Sequence, residues 1–201
     1  YGGGGGGGED GPNGSGYGGP GGGGPGQNPA ETTSPGAVAN TGGGGGDRGA
    51  PSLPPQYTAG AKGIVMVKYA SETAVGDETG SIGGEEFIIG SYKYHVFGAG
   101  AGEFILGSAV TCDILMVAGG GGGGSDRNAG AAGGGGGGGL IYVENHPLGV
   151  ANWKVWVGSG GVGSPDASAR SNPGQNTILT AEPTIPSNDR SRTSDTFGYP
   201  A

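Results

Sequence analysis

Among the 201 residues there is one cysteine, there are two histidines, and nine lysines and arginines stand against seventeen acids. A single cysteine excludes an internal disulfide framework. Cys112 lies in the run Thr111-Cys112-Asp113-Ile114, and a small buried side chain accounts for it. The formal net charge of −8 comes without any basic cluster, so phosphate-based recognition of nucleic acid is not expected. No apolar run approaches the roughly 18 residues of a membrane-spanning helix, and membrane insertion is not expected. Helix signals are lacking too: no window of ten or more residues joins a 3.6-residue period to freedom from Gly and Pro. Residue 1 is Tyr and no signal-peptide pattern follows, which reads as a mature or excised piece of something longer. His95 and His146 have no Cys or carboxylate at metal-ligand spacing, and no Ser/His/Asp grouping stands out. The expectation is therefore no catalytic residue, no metal, no cofactor and no enzyme.

What the chain has is glycine. Its 56 Gly and 14 Pro make up about a third of the sequence, a composition typical of low complexity or disorder. Yet Ile64-Val65-Met66-Val67, Ile114-Leu115-Met116-Val117 and Val155-Trp156-Val157 are apolar runs that a solvated tail does not carry. Collagen needs Gly at every third position; here Gly comes in solid blocks, at Gly2–Gly8, Gly21–Gly24, Gly42–Gly46, Gly119–Gly124 and Gly133–Gly139. Short strands are expected over Gly63–Tyr69, Glu86–Ile89, Tyr92–Phe97, Gly102–Leu106, Ala109–Val117, Leu140–Val143 and Ala151–Val157. Alternation puts Phe104 with Leu106 on one face, Cys112 with Ile114 and Met116, and Trp153 with Val155 and Val157. The fold class read from this is all-β, a small antiparallel sheet or sandwich with no α-helix.

A lone glycine run cannot order itself. Fixing each residue costs about 1–2 kcal/mol, and a net hydrogen bond returns only about 0.5–1.5 kcal/mol. The runs are either linkers or ordered together. A polyglycine-II-type helix, like polyproline II, has three residues per turn and no internal hydrogen bonds. Several such helices can bond to each other if no Cβ intervenes. The layout favours this: a strand ends at Val117 and launches one run, the next run leads into Leu140, and neither is flanked like a Ser-rich linker. Gly121 and Gly136 are taken as helix-packing positions where a Cβ would not fit.

Ile114–Val117 followed by Gly119–Gly124 mimics a dinucleotide fingerprint, but any six glycines satisfy it and no helix follows. Asp-Arg recurs at Asp47-Arg48, Asp126-Arg127 and Asp189-Arg190. A solvated turn with a local ion pair explains it; the functional reading makes Asp47, Arg48, Asp126 and Arg127 surface contacts for a glycan or cation.

Tyr92–Val117 flowing into Gly119–Gly124, then Gly133–Gly139, Leu140-Ile141-Tyr142 and Trp153–Gly158, resembles the opening half of glycine-rich domains of phage tail fibres and related bacterial surface proteins. In that family a strand like Gly63–Tyr69 closes the module, whereas here it comes first, so the order is circularly shifted. The resemblance implies that residues 1–69 end one module, 70–80 form an acidic joint and 81–201 open the next. Ile64, Val65, Met66, Val67 and Tyr69 would then form an assembly strand pairing with another copy or repeat.

The function implied is structural: a subunit or repeat of an extracellular fibre, a phage tail-fibre shaft or a microbial filament, located outside the cell or on a virion. Its partner would be itself, as homopolymer or tandem repeat, or as a trimer in a tail fibre. The alternative is an adhesin module that shows glycine-rich loops, with Tyr17 and Tyr57 at their tips, to a receptor or cell-surface glycan. With each half incomplete, the isolated chain is expected to be poorly ordered as a monomer.

Overall fold

The computed structural model describes residues 1–8, 15–27, 36–47, 58–70, 83–98, 100–125, 132–164 and 169–181. These residues hold no α-helix and eight strands: β1 (Ile64–Ala70), β2 (Glu85–Ile89), β3 (Tyr92–Phe97), β4 (Gly100–Leu106), β5 (Val110–Val117), β6 (Leu140–Leu148), β7 (Ala151–Val157) and β8 (Ile178–Thr180). Two antiparallel sheets result, ordered β2-β3-β1-β5-β6 and β4-β7-β8. The expected alternation holds, since Phe104, Leu106, Cys112, Ile114, Met116, Trp153, Val155 and Val157 are all buried in one core with Val65, Val67, Tyr69 and Leu179. β6 runs past the expected end and includes Pro147. A proline costs a ladder hydrogen bond, and β6 tolerates it because it is an edge strand. β8 was not foreseen; three residues after a polar stretch give too short a pattern to read.

β1 has both of its edges paired within its own chain. Val67 faces His95 of β3 on one side and Ile114 of β5 on the other, both within the same chain. Where exchange of half-modules between copies was expected, β1 finds its neighbours in its own chain: a circular shift moves the break in the chain but leaves this strand beside β3 and β5. The two halves share one core, in which Val65, Val67 and Tyr69 pack with residues of the later strands, and they complete each other within the chain.

The glycine segments lie against each other and bond in a three-residue rotation. In segment 118–125, Ala118, Gly121 and Gly124 donate to Gly139, Gly136 and Gly133. Gly119 and Gly122 donate to Gln175 and Asn172, and Gly120 and Gly123 to Ala61 and Thr58, all at 2.8–3.0 Å. Segment 42–47 is buried throughout and bonds to segments 1–8, 21–27, 58–63, 118–125 and 132–139. It is entered through a turn in which Asn40 takes φ 62°, a left-handed conformation that Asn tolerates.

Backbone approaches backbone so closely that a Cβ on Gly44, Gly120, Gly123 or Gly160 would overlap a neighbouring carbonyl. Gly136 is not such a position. A Cβ there meets nothing within 4 Å, and one on Gly121 meets Gly136 N at 3.5 Å, an ordinary contact. Both flank an open groove at the edge of the glycine layer, so the sequence chose glycines of the right kind in the wrong place. Gly123→Ala, which drives a Cβ into the Gly46 carbonyl, is expected to cost about 1–3 kcal/mol in urea unfolding. Gly149→Ala, which points into open space, should stay within about 0.5 kcal/mol of the parent.

A histidine sits inside the sandwich. His95 is fully buried between the Tyr69 and Phe104 rings. The Gly83 carbonyl, 2.8 Å from Nδ1, can only accept, so Nδ1 carries the proton and Nε2 accepts from the Tyr69 hydroxyl at 2.9 Å. Burial pushes the His95 pKa down, and the nearby Lys93 adds to this, against the opposing pull of the Gly83 carbonyl and Glu86. Since the folded pKa lies below the unfolded value, the unfolded chain takes up a proton first. Stability should therefore be flat above about pH 6.5 and fall below it, by at most about 1.4 kcal/mol per pH unit. Melting temperatures from pH 8 downward check this, and His95→Gln should remove that component of the slope.

Candidate functional site

Every glycine segment that meets a strand does so at one end of the layer. Gly63, Ala118, Gly139, Gly158 and Thr177 adjoin β1, β5, β6, β7 and β8. They are tied together there: Gly63 N–H donates to Gly158 O, Ala118 N–H to Gly139 O, and the Thr177 hydroxyl to Val117 O. The opposite ends of the same segments gather as well, away from the sheets, and this second end is the candidate site.

Asp47 is its centre. Its side chain is fully buried, and Oδ2 accepts from Gly8 N–H at 3.1 Å and Ala132 N–H at 2.8 Å. Asp47 N–H donates to Gly6 O and Asp47 O accepts from Gln27 N–H. One carboxylate thus joins three segment ends, and charge-assisted bonds to backbone donors are the kind that make burial of a carboxylate tolerable. Beside it, Thr58 O accepts from Gly123 N–H. The Ser125 hydroxyl donates to Ser164 Oγ, and the Ser164 hydroxyl donates to Ala169 O at 2.6 Å. Gln27, Asp47, Thr58 and Ser164 are buried polar residues that together close this end.

The stretches 9–14, 48–57, 126–131 and 165–168 begin and end on residues of this layer, and 28–35 departs from it at Gln27. The expected contact residue Asp47 is buried and is not a surface group, because backbone donors from two other segments claim its carboxylate. Arg48, Asp126, Arg127, Tyr57 and the pair Asp189-Arg190 lie outside the described residues. Tyr17 stands 95 % exposed on the outermost segment. Sequence reasoning passed over Gln27, Thr58 and Ser164, although Gln27, Asp47, Ser125 and Ser164 share a visible signal: each is the polar residue that directly follows a glycine.

Elsewhere little chemistry is available. Cys112 is buried and its thiol is pushed up to about 12 by burial, with Asp113 adding to it; it donates to His146 O. Among the described residues no group of three or more His, Cys, Asp or Glu could hold a metal ion.

Residues 98–194 match the family model of the glycine-rich domain. The match spans β4 to β8 and the glycine segments between them, and lies inside residues 81–201. No curated protein matches the chain, and no solved structure does.

The site has a direct test. Asp47→Ala removes the acceptor shared by Gly8 and Ala132 and should cost about 1–3 kcal/mol, with faster amide exchange at those two residues. Asp47→Asn, whose amide oxygen can still accept, should lose less.

Proposed function

We propose that the chain is a non-enzymatic extracellular display module, and that its glycine segments are polyglycine-II-type helices packed as a hexagonal bundle on the β-sandwich. The carrying observation is the gathering of the segment ends around Asp47, from which the stretches 9–14, 28–35, 48–57, 126–131 and 165–168 depart. The three-residue rotation of the donors supports the helix assignment, since that helix has three residues per turn. At its rise of about 3.1 Å per residue a seven-residue run spans about 22 Å, so the far end of the bundle would stand about that far from the sheets. Binding residues concentrate in loops carried by a rigid scaffold. These stretches would be the part offered to a receptor or cell-surface glycan, with Arg48, Asp126, Arg127 and Tyr57 as contact candidates, and Tyr17 as a further one on segment 15–27. The setting is the end of a fibre or the surface of a virion or cell.

A second reading, a structural piece of a phage tail fibre or microbial filament, is favoured by the β2–β3 hairpin. β2 is exposed along its length, and Phe87, Ile88 and Ile89 project from it. A hydrophobic edge strand of this kind is a template for pairing with another chain.

Replacing 48–57 and 126–131 by Gly-Ser sequences of equal length should leave the melting temperature unchanged. The same replacement should abolish adhesion of the chain to a panel of bacterial cells and immobilised glycans. Adhesion that survives replacement of both, and of the other three stretches, would sink the display reading.

A further inference from the structure

Segment 118–125 is surrounded by five others, and each bonds to the next. Segment 132–139 bonds to 41–47 through Gly135, 41–47 to 58–63 through Gly42, 58–63 to 158–164 through Gly60, and 158–164 to 169–177 through Asn172. No hydrogen bond among the described residues closes the ring between 169–177 and 132–139. A groove of about 620 Å³ opens there, lined among others by Gly121, Gly136, Asn172 and Gly174.

The hydrogen-bond directions identify this groove as an unfilled place. The N–H groups of segment 118–125 point to 132–139, to 169–177 and to 58–63 in turn. Its carbonyls alternate with them: Gly121 O accepts from 41–47, and Gly120 O and Gly123 O from 158–164. By the same rotation the third carbonyl direction, that of Gly119 and Gly122, falls between 132–139 and 169–177. Both residues are buried, and neither carbonyl accepts a hydrogen bond among the described residues. On the walls, the N–H groups of Gly133, Gly136 and Gly174 donate none among the described residues. The groove therefore asks for an extended strand with a donor every third residue for the floor and carbonyls for the walls.

We infer that a glycine segment of a second copy of this chain fills the groove. The repeat needed by floor and walls is the one that this chain's own segments satisfy for each other. The surface also continues onto the sheet: directly after Gly139, Leu140 and Tyr142 on the edge strand β6 are about half exposed. They supply the apolar burial that exchange of water for backbone bonds does not.

Gly133, Gly136 and Gly139 each have nothing within 4 Å of a Cβ, so a side chain there stands at the rim of the groove without disturbing the chain that carries it. Sedimentation velocity on the full chain over a concentration series should show self-association. Gly136→Val should raise the dissociation constant by about tenfold or more with an unchanged circular dichroism spectrum, and Tyr142→Lys should weaken association in the same direction. Gly36→Val, equally open but away from the groove, should associate like the parent. A parent chain that stays monomeric overturns the inference, as does association that survives both Gly136→Val and Tyr142→Lys. So does concentration-independent exchange protection of the Gly136 and Gly174 amides in the monomer, which would mean that the chain fills its own groove.

Discussion

Everything in this molecule rests on the missing Cβ. Where Gly44, Gly120, Gly123 and Gly160 lie against neighbouring carbonyls, there is room for backbone and for nothing else. That closeness lets N–H and C=O groups that no sheet or helix would pair find partners in neighbouring segments. A polar backbone group left unpaired inside a fold costs as much as a lost hydrogen bond, and the cost of ordering glycine is high. The layer offsets both only because the segments order together, each completing the bonding of the next.

The sandwich supplies what the glycine layer lacks. Apolar burial comes from Phe104, Trp153, Ile114, Val155 and their neighbours in the two facing sheets, and the strands fix where each segment starts. Segment 118–125 leaves β5 and segment 132–139 enters β6, so their spacing is that of two paired strands. Glycine alone carries no information about register. Strand pairing, together with the polar residues that close the far end, gives it one.

The strands were legible in the sequence because alternation over five or more residues is unambiguous, as at Cys112, Ile114 and Met116. β8 was not, since three residues carry no period. The pairing of β1 was misread for a different reason. Its neighbours β3 and β5 follow it in sequence, and the order of elements says nothing about whether a strand closes on its own chain or on another. The glycine positions were legible as a class and not one by one: Gly123 and Gly136 look alike in the sequence, and only the arrangement of neighbours makes one crowded and the other open. Asp47 was noticed through its repeat with Arg48, which drew attention to its charge. Its role came from its place at the end of a glycine block.

The rotation of the donors in segment 118–125 bears on how such chains can change over generations. Adding or removing one or two glycines would turn every later N–H by a third of a revolution, away from its partner. A change of three would restore the phase and lengthen the segment by one repeat. Segments bonded together must lengthen together, however, or one will end beside nothing. Block lengths in such a layer are therefore coupled across the chain.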